Sequence, residues 1–232
     1  ECWTRPTPAV AYWQAGVNNH NGFNSHMPSV MDFPLEEAIR QALETEGKQW
    51  GEGLTRVYDA MAMDYLYGNV NNILLMLGNH DMDRIADVVK DQDPRRVKLA
   101  YTLLATMRGI PQVFYGDEYA MKSADRNLGH STLRMPLPLG EAVTAEMQDM
   151  FDYQARLFQW RKGEEVIHTG RTMHFMSRDN TYGFVRYNDN EAVFVFANAS
   201  TDSRTIPTAN YAEIVGKYNP VGVDVITGKT YD

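Results

Sequence analysis

The 232-residue chain lacks most of what would tie it to a membrane, to nucleic acid or to disulfide chemistry. It has a single cysteine, Cys2, so no internal disulfide can form, and the lone thiol says little about redox compartment. Positive charge is scarce: 22 Lys and Arg against 30 Asp and Glu leave a formal net charge of −8. A face basic enough for nucleic acid or an anionic membrane is not expected from that balance. Apolar runs are short as well. Residues 73–77 make a run of five, whereas a membrane-crossing helix needs about twenty. No charged-then-apolar leader opens the chain, and its first residue is not Met, so the natural N-terminus is expected elsewhere.

What remains is ordinary for a globular protein, with 44% hydrophobic and 22% charged residues, and a neutral ligand suits the acidic balance. "SVMDF" (29–33), "NILLML" (72–77) and "IPQVFY" (110–115) read as buried strands, being short, apolar and bounded by Pro, Gly or Asn. Between them the spacing predicts helices over 53–67, 94–107 and 144–162. The second has Asp93 as N-cap, Pro94 in its first turn and Gly109 beyond its end. Alternating strands and helices imply an α/β architecture with a parallel sheet. From residue 163 the texture turns β-rich, with "RTMHFMSR", "TYGFVRYN", "AVFVFANAS" and "DVITGKTYD" separated by Asp-Asn and Asn-Asp-Asn turns. The expected division is 1–162 α/β and 163–232 all-β, the latter a small antiparallel β-sandwich with Tyr182, Phe184, Phe194 and Phe196 in its core.

The chemistry concentrates in "LLMLGNHDMDRI" (74–85), where an apolar run ends at a Gly and delivers Asn79, His80 and Asp81 in a row. As a bare tripeptide it could be a turn that caps the next helix. A dinuclear metallophosphoesterase would need more ligands to hold two metals and a water. Its companion motifs are absent: "GDEYA" (116–120) lacks a second Asp and "LGHST" (128–132) a second His. A glycosidase site is the third reading, and other segments favour it.

Asn79-His80-Asp81 followed by Arg84 resembles the strand-seven motif of the α-amylase family. "RGIPQVFYGDEYAM" (108–121) is similar to that family's strand-eight segment, and "ECW" (1–3) to the end of its strand-five motif, Gly-Glu-x-Trp. Order and spacing of the three agree. "SVMDFPL" and "YWQ" (12–14) point to the neopullulanase and cyclomaltodextrinase branch. Met76 stands where an aromatic is usual, Gly78 where Asp is frequent, and "LRMPLP" (133–138) only approximates the branch's Arg-x-Asp-Phe-Pro-Gly-Gly.

The resemblance implies that residues 1–162 are the last strands and helices of a (β/α)8 TIM barrel, the C-terminal half of a catalytic domain. It implies a retaining hydrolase of α-glucans such as starch, maltooligosaccharides, pullulan or cyclodextrins. Glu1 would be the acid/base and Asp81 the stabiliser of the oxocarbenium-like charge. His80, Asn79, Arg84 and Trp3 would bind substrate, with Arg84 orienting Asp81 or reaching a neighbouring glucose. The family's nucleophile, an Asp on strand four, precedes Glu-x-Trp and has no counterpart here. The chain alone is therefore expected to be inactive, and to self-associate or pair with a missing N-terminal half. No cofactor is expected, with calcium left open in that upstream part. A glucanotransferase on the same site stays open, because water and a sugar hydroxyl compete for one glycosyl intermediate. So does a non-catalytic carbohydrate-binding or interaction module. Tyr12, Trp13, Trp50, Tyr65 and Tyr67 suit sugar stacking, but packing is the commoner role for each. His20 and His26 are expected in a solvated loop, and Tyr115, Gly116 and Glu118 as mainly structural, with Glu118 a weak candidate for substrate contact.

Overall fold

Proline and a capping side chain set where the main helices begin. A computed structural model describes residues 1–218 and 221–231, so Asp232, the end of the expected closing strand, lies outside the described residues. Helix α1 (Thr7–Ala11) follows Pro6, and α2 (Phe33–Glu44) starts where Asp32 Oδ1 accepts from the Leu35 amide (3.1 Å), with Pro34 in the first turn. Helix α3 (Leu54–Ala62) leads through a 3-10 turn at Asp64–Leu66 to strand β1 (Leu74–Met76). Then come α4 (Ile85–Val88), α5 (Pro94–Thr106, capped by Asp93) and β2 (Ile110–Gln112).

β1 and β2 run parallel, with Leu74 opposite Ile110 and Met76 opposite Gln112. On the other side of β1, the Leu74 amide donates to Val30 O and the Asp32 amide to Leu74 O, both at 2.9 Å. Three parallel segments therefore lie side by side, joined by helical crossovers. The strand expected over 29–33 is reduced to a single bridge, Met31 to Leu74, because the Asp32 cap and Pro34 turn Phe33 into helix. The segment 110–115, expected to be buried, is partly open: Ile110 is 49% and Val113 38% exposed. The cause is that β2 has a strand partner on one side only among the described residues.

Helix α6 (Ala145–Gly163) is capped by Thr144 and followed by the short α7 (Glu165–Thr169). Strands β3 (Arg171–His174), β4 (Thr181–Tyr187) and β5 (Ala192–Asn198) then form an antiparallel sheet in sequential order. A 3-10 turn at Thr208–Tyr211, helix α8 (Ala212–Val215) and the ribbon β6 (Gly222–Val223) with β7 (Thr230–Tyr231) complete the described chain. The run from 163 is thus not all-β, since α7 and α8 interrupt it, and its second sheet is a two-stranded ribbon. Pairing Tyr182 with Ala197 and Phe184 with Val195 puts these four on one face, where they join Ile39, Leu43, Val57 and Leu104 of α2, α3 and α5 in one core. Phe194 and Phe196, expected inside, fall on the opposite face by the period of two, and Phe194 is 41% exposed.

Buried arginines brace the loops of this core. Arg161 of α6 donates to Ala105 O (2.6 Å) and Gly109 O (2.8 Å), closing the turn that enters β2. Arg186 of β4 reaches Asn71 Oδ1 (3.0 Å) and Ile167 O (2.9 Å), and Arg96 of α5 reaches Leu43 O and Ala199 O. Burial pushes the Arg161 guanidinium down to about 10, and burial aided by the neighbouring Arg161 and Arg108 charges does the same to Arg186. Each brace supplies donors to carbonyls that would otherwise be buried without partners.

Two further ties cross the molecule. Asn180, at a positive φ of 56° in the β3–β4 turn, inserts its side chain between Gly47 and Gly53. There its Oδ1 accepts from the Leu54 amide (2.9 Å), capping α3, while its Nδ2 donates to Glu46 O (2.9 Å). A Cβ on Gly53 would lie 2.2 Å from that oxygen, so the approach needs glycine. At the other end of the fold, Arg5 donates to Glu36 (3.0 Å) and Glu37 (2.6 Å) of α2 and so ties down the segment bearing Glu1. Burial pushes the Glu36 carboxyl up to about 7, outweighing Arg5 and Arg40. Arg5 is half exposed, so water screens its pull.

Both ties give measurable expectations. Asn180→Ala removes the cap of α3 and is expected to cost about 1–2 kcal/mol in urea unfolding; an unchanged midpoint would contradict the tie. The folded state keeps a proton on Glu36 that the unfolded chain releases near 4.5. That contribution to stability is full below 4.5 and is lost as pH rises towards 7. Glu36→Gln should flatten the pH dependence of the urea midpoint across that window, and a slope equal to the parent's would refute the assignment.

Candidate functional site

β1 ends in a turn that folds back on itself. Gly78 sits under it, and a Cβ there would come 3.1 Å from Asp83 O. Asn79 is buried and its Oδ1 accepts from the Asp81 amide (2.8 Å), a local turn that points the Asp81 carboxylate outwards. The Asp81 side chain is 34% exposed and ringed by donors. Arg134 Nη2 lies 3.0 Å from Oδ1, His80 Nε2 3.2 Å from Oδ2 and His130 Nδ1 3.8 Å from Oδ1. An anion held at the carboxyl end of a parallel strand is where α/β folds place their chemistry.

Glu1 and Trp3 approach the same end. Trp3 Nε1 donates to Glu1 Oε2 (3.3 Å), and the Trp3 ring lies 4.7 Å from that of Phe33. Phe33 packs with Met76, the last residue of β1, and Met82, the neighbour of Asp81. Trp3 thus rests on the buried cluster beneath the Asn79–Asp81 turn, with Glu1 hydrogen-bonded to its ring nitrogen.

Arg84 is placed differently from expectation. Only 1% exposed, it donates to Asp117 Oδ1 (2.6 Å), Tyr115 O (2.9 Å) and Leu133 O (2.8 Å), and its guanidinium lies 4.5 Å from the Phe114 ring centre. It binds neither Asp81 nor solvent-borne ligand from this position. It is instead a strut joining the Asn79–Asp81 turn to the segments after β2 and before Arg134. Burial pushes the Asp117 carboxyl up to about 6, with Arg84 pulling the other way.

Arg134, His130 and Asp117 were missed as site-forming residues in the sequence. Arg134 sits in "LRMPLP", which reads only as an imperfect motif, and His130 in "LGHST", which reads as a failed metal motif. Arg134 is 53 residues from Asp81 and His130 is 49, so no local periodicity joins them. Tyr115 donates its hydroxyl to Met135 O (2.9 Å) and so helps hold this same segment. Glu118 is half-buried nearby. Among the expected aromatics, Tyr12 stacks on Phe23 at 5.1 Å and Trp13 meets Phe23 edge-on, while Tyr67 is buried. Trp50 and Tyr65 do not pack but stand in solvent, and His20 and His26 lie exposed in their loop. Among the described residues no group of three His, Cys, Asp or Glu side chains is placed to hold a metal ion.

Comparison with known proteins finds similar sequences and folds. Residues 172–232 match the family model of the cyclo-malto-dextrinase C-terminal domain. The chain is 26% identical over 233 residues to an alpha-amylase of Niallia circulans, covering 97% of this chain and 42% of that protein. The chain is thus similar to proteins of the α-amylase family. It is also 24% identical over 232 residues to a cyclomaltodextrin glucanotransferase of Geobacillus stearothermophilus, covering 91% of this chain and 30% of that one. The structure of AmyP in complex with maltose superposes with a TM-score of 0.73 at 19% identity, over 92% of this chain and 49% of that one. The likeness in fold thus extends over both the helical part and the antiparallel sheet. This α-amylase relative spans less than half the length of the curated proteins it matches.

The strut gives a prediction. Arg84→Met strands a buried carboxylate at Asp117, and at pH 8 the cost is expected to be about 3–5 kcal/mol. A denaturant midpoint within error of the parent's would contradict it.

Proposed function

We propose that the chain is the C-terminal part of a retaining α-glucan glycosidase, with its parallel segments forming the last strands of a (β/α)8 barrel. The observation that carries the reading is Asp81, presented at the carboxyl end of β1 between Arg134, His80 and His130. In this reading Glu1 protonates the leaving glycosidic oxygen. Asp81 faces the positive charge that develops on the sugar ring, where a fixed anion is worth most once water is excluded. His80 hydrogen-bonds the same ring, Asn79 holds the turn and Trp3 walls the sugar. Arg84 acts at one remove, by fixing the turn.

The mechanism needs a second carboxylate as nucleophile, and no residue of this chain matches the strand-four Asp that supplies it in the family. The strand carrying it would have to come from upstream sequence, on the side of Glu1 and not of β2. The open edge of β2, where Ile110 and Val113 are exposed, is where self-association of the isolated chain is expected. Transfer to a sugar hydroxyl instead of water is the second reading. It is favoured by the glucanotransferases among the relatives, one from Thermotoga neapolitana being 29% identical over 140 residues, 60% of this chain and 29% of that protein.

The isolated chain is expected to release no reducing sugar from soluble starch, yet to bind maltoheptaose through Asp81. Asp81→Asn should weaken that binding about tenfold or more, since hydrogen bonds to a charged group contribute about 1.5–3 kcal/mol. Turnover by the chain alone would overturn its assigned dependence on an upstream nucleophile. Maltoheptaose affinity unchanged in Asp81→Asn would overturn the site.

A further inference from the structure

Residues 124–132, between β2 and α6, fold into a loop that closes on itself. The Ala124 amide donates to Thr132 O (3.3 Å), and Thr132 Oγ1 reaches Asp125 O (2.9 Å) and Gly129 O (3.0 Å). Gly129 turns the chain midway at a φ of 73°. A loop with a closed neck packs on its own side chains and can move as a unit. The neck is anchored on both sides. Asp87 Oδ2 accepts from the Ser123 amide (2.8 Å) and hydroxyl (2.7 Å), while Arg84 and Tyr115 hold Leu133 O and Met135 O. Between these anchors residues 124–131 are exposed, and Leu128 at the tip is 69% exposed.

What holds the loop against the Asn79–Arg84 turn is charge. Arg126, His130 and Arg134 recur at intervals of four, and the turn offers Asp81 and Asp83. Arg126 Nη2 pairs with Asp83 Oδ2 (2.7 Å) and Arg134 Nη2 with Asp81 Oδ1 (3.0 Å), while His130 Nδ1 lies 3.8 Å from that same Asp81 oxygen. Every one of these side chains is at least a third exposed. Ion pairs in water hold weakly, each shifting an equilibrium by roughly two- to fivefold. The fastening is therefore reversible, unlike the buried Arg84–Asp117 strut beneath it.

The Arg134 contact conflicts with the role proposed for Asp81. A carboxylate that stabilises developing positive charge acts through its own uncancelled charge. A guanidinium at 3.0 Å opposes that charge and occupies the oxygen a sugar hydroxyl would reach. His80 belongs to the turn itself and raises no such conflict.

We propose that residues 124–134 form an autoinhibitory latch. In the free chain Arg126 and Arg134 fasten the loop over the turn and cap Asp81, and a neutral glucan reaches Asp81 only when both ion pairs open. Sugar and latch compete, so the apparent affinity for glucan is the intrinsic affinity reduced by the open fraction. That the ligand is a glucan rests on the reading under Proposed function; the latch rests on the geometry of the loop.

The test uses the ¹⁵N-labelled 232-residue chain with a nitroxide on Leu128→Cys, in a Cys2→Ser background so that only the loop tip is labelled. Without sugar, the label is expected to broaden the amides of residues 79–84. The broadening should fall in Arg126→Ala, an exposed change that touches Asp83 and not Asp81. It should fall likewise when salt is raised from about 0.01 M to about 1 M, which shortens the screening length from about 30 Å to about 3 Å. Broadening that is absent, or equal under all three conditions, would overturn the latch. Maltoheptaose is then titrated into the unlabelled chain and followed by amide shifts at 79–84. Arg126→Ala should bind it about two- to fivefold more tightly, and so should the parent at high salt, although the sugar is neutral. Affinity unchanged or lower in Arg126→Ala and at high salt would overturn the inhibitory role while leaving the proposed function standing. A loop that opens as expected while maltoheptaose shifts no amide at 79–84 would overturn the reading under Proposed function, and with it the competition with glucan.

Discussion

Arg108 is the constraint on which the parallel half of the structure depends. Its guanidinium, 1% exposed, donates to Asp32 Oδ2 (2.5 Å) and through Nε to both oxygens of Asp64 (3.0 Å each). Asp32 is at once the cap of α2 and the end of the first parallel segment, Asp64 belongs to the turn leading to β1, and Arg108 itself precedes β2. One side chain therefore ties together the neighbourhoods of all three strands. Burial alone would favour the neutral form, but the two carboxylates outweigh it and hold Arg108 charged. Removing Arg108 would leave the Asp32 carboxylate buried without its cation, which is far costlier than the net worth of the pair.

The same logic recurs towards the carboxyl ends, where Arg84 fixes the turn that presents Asp81. There is a division of labour between the arginines. Those with a carboxylate partner, Arg108 and Arg84, anchor the strand ends, while Arg161 and Arg186, donating to neutral carbonyl, amide and hydroxyl oxygens, brace the loops and the antiparallel sheet. The role proposed for Asp81 needs a backbone that does not relax when substrate charge develops, and anchors of this kind suit it. The antiparallel sheet contributes through one face, completing the helical core with Tyr182 and Phe184, while Tyr211 packs on Phe175 and Phe194 of the other.

Much of this was legible in the sequence where the signal is local. The cap Asp93 with Pro94, the strand 74–76 and the turns that separate β3, β4 and β5 all depend on residues close in the chain. What could not be read depends on contacts across long separations. "SVMDF" has strand composition, but the Asp32 cap and Pro34 draw Phe33 into helix. Arg84 has the spacing of a substrate-binding residue, yet Asp117 and Leu133, 33 and 49 positions away, bury it. Arg134 and His130 meet Asp81 only because that strut brings their segment alongside. Phe194 and Phe196 alternate as core residues should, and only the register with β4 shows which alternation faces the helices.

The most direct measurement of the central claim is a crystal structure of this chain soaked with maltotriose. The account predicts a pyranose at the carboxyl end of β1, with ring hydroxyls about 2.7–3.2 Å from the Asp81 carboxylate and within reach of His80 and Trp3. A well-ordered soak in which sugar occupies no position within hydrogen-bonding distance of Asp81 would contradict it.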